Sequence, residues 1–75
     1  MADLLDRFRI SDVDDAGDTK YFGHLAMNGE WYVLREDSVN KTFRYARGQG
    51  SYGTAVTGAW ATRAALSYDY FDVIF

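Results

Sequence analysis

Acidic residues cluster near the start of the chain at a spacing that could suit a calcium ion. Asp12, Asp14 and Gly17 occupy positions 1, 3 and 6 of the spacing that EF-hand loops use. Ala16 and Gly23 stand at positions 5 and 12, where such loops need oxygen ligands, so two carboxylates are missing. We therefore predict a turn between strands, stabilised by aspartates that hydrogen-bond to nearby backbone, with calcium binding as the lesser alternative. The candidate ligands in that alternative are Asp12, Asp14 and Asp18.

Arginines and aromatic rings alternate along two predicted strands, a pattern that can stack nucleic-acid bases on a sheet. The formal net charge of the chain is −3, and a protein that binds nucleic acid usually presents a basic surface. The same alternation is common in protein–protein interfaces, where arginine lies on aromatic faces. We therefore predict no nucleic-acid partner. The residues in this pattern are Arg35, Arg44, Arg47, Trp31, Tyr32, Phe43 and Tyr45.

The other motifs that could support catalysis or cofactor binding are incomplete. His24 is the only histidine and cysteine is absent, so a zinc site built from these residues is excluded. The glycines of Gly48–Gly53 match dinucleotide-binding spacing, but no βαβ unit surrounds them, and we interpret them as a flexible loop. Two carboxylate pairs could act in glycoside hydrolysis, but a chain this short has few residues to form the walls of a substrate cleft. These pairs are Asp69 with Asp72 and Glu30 with Glu36.

The residues above must be positioned by strands, and one hairpin dominates the predicted architecture. Asn28-Gly29 lies between two apolar runs, which favours a two-residue turn with positive φ at both positions. Because the turn sets the register, the cross-strand pairs can be predicted. They are Met27–Glu30, Leu25–Tyr32 and Gly23–Leu34.

Side-chain alternation then gives this hairpin two apolar faces. A free-standing antiparallel sheet normally keeps one face wet, so we predict that this sheet is covered on both sides and that Trp31 is buried. The first predicted face carries Tyr21, Leu25, Met27, Tyr32 and Leu34, and the second carries Phe22, Ala26, Trp31 and Val33.

The predicted fold class is all-β, a small antiparallel meander that curls into a barrel-like or open sheet. One short helix near residues 59–65, or a structured loop anchored by Trp60, interrupts the strands. The last predicted strand is Leu66–Phe75, which closes the sheet against Arg7–Ser11 or extends a neighbouring subunit's sheet. The other predicted strands are Arg7–Ser11, Thr19–Met27, Glu30–Glu36 and Thr42–Arg47.

Length and composition indicate one small β domain spanning residues 1–75. A domain of this size is marginal alone and has no disulfides, so oligomerisation or docking remains as a source of stability. Six Tyr, five Phe and two Trp exceed what one thin core needs, which favours an interface. No apolar run approaches the roughly 18 to 20 residues of a membrane span, and we predict no membrane partner.

Five motifs follow one another along nearly the whole chain, including an Asn-Gly-x-Trp-Tyr hairpin and a Tyr-x-Tyr-Phe-Asp segment. They are Phe8–Asp18, Tyr21–Gly23, Asn28–Val33, Thr42–Gly48 and Leu66–Asp72. As an ordered set they resemble a family of short proteins encoded by tailed bacteriophages. The resemblance implies a small component of the virion and no enzymatic activity.

Together with the surplus of aromatic residues, the resemblance predicts a structural protein of the phage neck, tail or fibres that docks onto other virion proteins in several copies. The isolated chain is then not expected to be a well-behaved monomer. The alternatives are a capsid decoration protein, or a module that binds host-surface glycans or a receptor through exposed Trp and Tyr. No cofactor is expected. The predicted interface residues are Tyr21, Trp31, Tyr32, Phe43, Tyr45, Tyr52, Trp60, Tyr70, Phe71 and Phe75.

Overall fold

The chain folds into a four-stranded antiparallel sheet, which a computed structural model describes over residues 5–75. Strands that neighbour each other in the sheet are also consecutive in sequence, so the described residues form an open meander, and the all-β prediction is confirmed. The strands are β1 (Phe8–Asp14), β2 (Thr19–Ala26), β3 (Glu30–Asp37) and β4 (Thr42–Gln49), followed by a 3₁₀ turn (Arg63–Ala65) and a one-turn helix α1 (Phe71–Ile74). No helix among these residues is long and apolar enough to cross a membrane.

The turn between β2 and β3 has three residues rather than the predicted two. Gly29 has a φ of +90°, as predicted, and its N–H donates to the carbonyl of Ala26 at 3.0 Å. Met27 and Asn28 lack positive φ, so the loop is a tight turn followed by one left-handed glycine, a common three-residue hairpin loop. The Asn28 side chain stabilises it by accepting the Glu30 N–H at 3.1 Å.

The longer loop shifts the register of the hairpin by one residue, and the predicted pairs are wrong. The observed partners are Leu25 with Trp31, Gly23 with Val33 and Phe22 with Leu34. A shift of one residue exchanges the faces of one strand relative to the other. The predicted grouping of side chains on each face is therefore also wrong, although both faces remain apolar.

One face of the sheet, here called the covered face, packs against the segment 50–68. Its side chains come from β2, β3 and β4, and Trp31 is only 9% exposed, which confirms its predicted burial. Two residues of the sheet are glycine because rings lie directly on the backbone. A Cβ at Gly23 would collide with the Tyr52 hydroxyl, and one at Gly48 would collide with the Trp31 ring. The covered face carries Tyr21, Leu25, Trp31, Val33 and Ala46, against Tyr52, Ala59, Trp60, Leu66 and Tyr68.

The covering segment is mainly a chain of turns rather than a helix over residues 59–65. Its only described helical element is the 3₁₀ turn, so the structured-loop alternative describes it better. The indole N–H of Trp31 donates to the Gly50 carbonyl at 3.0 Å, and Trp60 packs its ring near Tyr52. These ring anchors act together with backbone hydrogen bonds inside the segment, such as that from the Gly58 N–H to the Thr54 carbonyl at 2.8 Å.

The predicted last strand is wrong. Only Asp69 pairs with the sheet, through two backbone hydrogen bonds to Tyr45 at 2.8 and 2.9 Å. The chain thereby crosses the edge of β4, with Tyr68 on the covered face and α1 on the opposite face. Phe75 packs near Tyr32 and Tyr45, on the core that also contains Phe8 of β1, so these residues do close onto the domain. Their backbone pairing, however, is with β4 and not with the first strand.

Candidate docking surface

The face opposite the covered face carries an apolar surface, here called the open face and defined by Ile10, Val13, Phe22, Leu34 and Phe43. Val13, Phe22 and Leu34 are cross-strand partners in one row that continues to Tyr45 on β4. Cross-strand partners share a face, so this row is a continuous apolar strip across the sheet.

Side chains of the open face stand clear of the two hydrophobic cores of the described chain. Ile10 is 59% exposed, and Val13 and Phe43 are each 52% exposed. Phe22 and Leu34 are half-buried and belong to neither core. Exposed apolar residues that adjoin one another in this way mark interaction sites.

A β-bulge at Ser11 brings Ile10 and Val13 onto the same face. Ile10 pairs with His24, and the next pair is Asp12 with Gly23, so one residue of β1 is skipped. The bulge re-aims the following side chains. As a result, Val13 joins Ile10 on the open face and Asp12 points to the covered face.

The second core closes the open face at one end. It is built from Phe8, Ala26 and Tyr32, with Leu5, Tyr45 and Phe75 packed around them. Tyr32 is 7% exposed and meets the Phe8 and Phe75 rings edge-on at centroid distances of 5.0 and 5.3 Å. Residues 5–75 therefore leave the open face exposed at Ile10 and Val13 and cover it partly near Tyr32 and Tyr45.

Lys20 and Glu36 border the apolar strip and are direct cross-strand partners. Both are half-buried on the open face. Neither Lys20 nor Glu36 takes part in an ion pair within the described residues, in contrast to Glu30, which pairs with Arg7 and Arg47, and Asp14, which pairs with Arg63. A cation and an anion thus lie side by side on this face with their charges uncompensated by an ion pair within the described chain.

The arginines that alternate with rings are used within the chain. Arg35, Arg44 and Arg47 lie over three rings of the C-terminal segment, with guanidinium-to-centroid distances of 4.5, 4.0 and 5.0 Å. Each such contact contributes about 0.5–1 kcal/mol at exposed sites. They hold the segment that crosses the edge of β4. The three rings are Tyr68, Tyr70 and Phe75.

The acidic run forms the end of β1 rather than a turn that starts at Asp12. Asp12 accepts a hydrogen bond from the Tyr52 hydroxyl at 2.8 Å, and Asp14 forms an ion pair with Arg63 at 2.9 Å. The Arg63 hydrogen bond lowers the pKa of Asp14, and burial together with the Asp12 contact raises the pKa of Tyr52. No cluster of three acidic or histidine side chains that could hold a metal occurs in residues 5–75.

His24 lies on the open face and is held by the sheet. Its ring stacks on Tyr32 with centroids 4.1 Å apart, and Nδ1 lies 3.1 Å from the Phe22 carbonyl oxygen. Burial lowers the pKa of His24 below its usual 6.5, against a smaller opposite effect of backbone hydrogen bonds.

The structure divides the ten predicted interface residues into three groups. Trp31, Tyr32 and Tyr52 are buried in the two cores. Four are half-buried around them: Tyr21, Tyr45, Trp60 and Phe75. The three exposed ones are Phe43, Tyr70 and Phe71.

Sequence reasoning missed four of the five residues that define the open face. Ile10 and Val13 were assigned to a strand and a turn, and the bulge that joins them has no clear sequence signal. Phe22 and Leu34 were placed on opposite faces because of the one-residue register error. The apolar alternation of Phe8 and Ile10 breaks at Asp12, and Val13 follows one position late, so the sequence pattern does not extend β1.

Val56, an exposed apolar residue away from the open face, lies in the covering segment. It is 81% exposed with a φ of +74°, and the Thr57 N–H donates to the Ala55 carbonyl at 2.9 Å. This is a γ-turn of the rare positive-φ form, which is strained for a β-branched residue.

Comparison of the chain with protein-family models, with curated proteins and with solved structures gives no significant match.

Proposed function

We propose that this protein is a non-enzymatic structural component of a tailed-phage virion, associated with the neck, tail or fibres, that docks onto other proteins in multiple copies. The observation that carries the proposal is the open face. Its apolar strip crosses the whole sheet, and the described residues leave its β1 side exposed.

The rigidity of the platform supports docking. The opposite face is closed by a core with ring anchors, and the edge of β4 is closed by the Tyr45–Asp69 bridge. An apolar surface on a fixed sheet can bind a partner with little loss of conformational entropy. The resemblance of the ordered motifs to those of short phage proteins supports the proposed place in the virion, with capsid decoration as the alternative location.

A glycan- or receptor-binding role receives less support. Such a role would use exposed Trp and Tyr, yet Trp31 is buried and the Trp60 ring has the Arg63 guanidinium over it at 4.5 Å. Tyr70 is exposed, but the Arg44 guanidinium lies over its ring at 4.0 Å. Protein docking requires only the apolar strip.

The proposal is tested by mass spectrometry of purified particles of the phage that encodes this chain. The chain should be present at several copies per particle. Val13→Asp, which places a charge in the strip, should leave the protein folded and reduce its incorporation at least about tenfold, since a buried unpaired charge is costly. Val56→Asp is the matched control and should incorporate normally. Particles that lack the wild-type chain would contradict the proposal.

A further inference from the structure

We infer that the open face binds a second copy of this chain, with the two sheets packed face to face about a two-fold axis that runs parallel to the strands between β2 and β3. The inference rests on the proposal that the open face is a docking surface, and it names the partner. It does not depend on which particle contains the protein.

The charges that border the strip have the arrangement that this symmetry requires. A two-fold axis between β2 and β3 places each β2 over the partner's β3 at the same height. Because Lys20 and Glu36 are cross-strand partners, Lys20 then meets the partner's Glu36, and Glu36 meets the partner's Lys20. The rotation therefore forms two intermolecular ion pairs from Lys20 and Glu36, neither of which takes part in an ion pair within the described chain.

The apolar strip is self-complementary about the same axis. Phe22 and Leu34 form the next pair along β2 and β3 on this face, so Phe22 of each copy packs on the partner's Leu34. Antiparallel sheets pack in this aligned manner with about 10 Å between them. The same two-fold rotation therefore brings both the apolar pair and the charged pair into contact with the partner.

The uneven cover of the open face also agrees with this symmetry. The helix α1 lies on the β4 side, with Phe71 and Val73 43% and 62% exposed, whereas Ile10 and Val13 stand bare on the β1 side. The rotation sets the bare side of each copy against the α1 side of the other.

The available area is sufficient for a dimer. Four strands of seven or eight residues form a sheet face of about 500 Å² per copy, given strand spacings of about 4.8 Å and rises of about 3.3 Å per residue. Both copies together reach the roughly 1,000 Å² that a specific interface needs when the exposed Phe71 and Val73, which lie over the β4 side, take part in the contact.

The decisive experiment is sedimentation equilibrium with charge-exchanged variants of the full chain. Wild-type protein should be a dimer. Lys20→Glu and Glu36→Lys should each weaken the dimer at least about tenfold, because the symmetry creates two like-charge contacts. The two variants mixed in equal amounts should form a heterodimer, since every contact across the axis then joins opposite charges. Lys41→Glu makes the same charge change in the exposed β3–β4 loop and should remain a dimer.

The result that overturns the inference is a monomeric wild type, dimers that persist in both single variants, or a mixture that fails to associate. Failure of the inference is separable from failure of the proposed function. A monomeric chain found in virions would contradict only the dimer, whereas a dimer missing from virions would contradict only the virion assignment.

Discussion

The covered face and the open face belong to the same four strands but differ in what packs against them. On the covered face, small residues such as Gly23 and Ala46 let rings from the segment 50–68 lie against the sheet. On the open face, larger side chains such as Phe22 and Phe43 project from the strands, and the described chain supplies no comparable cover to the β1 side. One face is therefore packed against the segment 50–68, while the other combines a smaller core at one end with apolar surface for a partner.

The two faces should differ most clearly in the loss of stability when a large side chain is removed. Trp31→Ala should lower the free energy of unfolding by about 3–5 kcal/mol, because it leaves a cavity under the covering segment. Phe43→Ala on the open face should change it by no more than about 0.5 kcal/mol when urea denaturation is followed at concentrations below self-association. Similar losses at both positions would remove the distinction between the faces.

Addition of a single methyl group should have the next largest effect. Gly23→Ala should destabilise the fold by about 1–3 kcal/mol, because the new Cβ meets the Tyr52 hydroxyl and the Trp60 ring. Gly17→Ala is the matched control, since a Cβ there has no neighbour within 4 Å. The two variants are compared by thermal unfolding, and a Gly23→Ala protein as stable as its control would show that Tyr52 does not pack on the sheet.

Substitution by asparagine at two exposed valines should have contrasting effects on stability and self-association. Val56→Asn should stabilise the fold by about 1 kcal/mol, because asparagine tolerates positive φ better than valine, and should leave self-association unchanged. Val13→Asn should leave stability nearly unchanged and weaken self-association. Denaturation and sedimentation on both variants test this pair, and loss of association in Val56→Asn would place the docking surface on the wrong face.

The smallest expected difference is in the pH dependence of stability. The folded chain lowers the pKa of His24 from 6.5, so below pH 6.5 the unfolded chain binds a proton more readily and the free energy of unfolding falls. His24→Gln should lack this loss. The Asp14–Arg63 ion pair on the covered face lowers the pKa of Asp14 from 3.8, so its contribution is lost only as the pH falls below 3.8. Urea denaturation measured from pH 8 to 3 should show these two losses of stability in separate pH ranges. If the pH dependence of His24→Gln equals that of the wild type, the loss below pH 6.5 does not come from His24.

The sequence was sufficient to predict the meander, the left-handed Gly29 and the burial of Trp31, because these depend on local turn chemistry and apolar alternation. It was insufficient for the register. The Asn28-Gly29 pair is compatible with loops of two and three residues, and the choice depends on packing against the segment 50–68.

The final segment was mispredicted for a related reason. Tyr68–Phe75 alternates like a strand, yet its rings are held individually by Arg35, Arg44 and Arg47, so it crosses the edge of β4 and ends in α1. Cation–π contacts between distant residues leave no local sequence signal. The candidate surface was missed for the same kind of cause, since the bulge at Ser11 and the register both decide which residues share a face.

The most direct test of the open face as the docking surface is hydroxyl-radical labelling of wild-type protein, read by mass spectrometry across a concentration series and in assembled particles. Val13 and Phe43 lie on the open face, and Val56, exposed on the covering segment, is the internal reference. We predict that labelling of Val13 and Phe43 falls at least about threefold relative to Val56 as the protein self-associates, because buried side chains are shielded from solvent. Labelling ratios that stay constant from dilute monomer to particle would contradict the account.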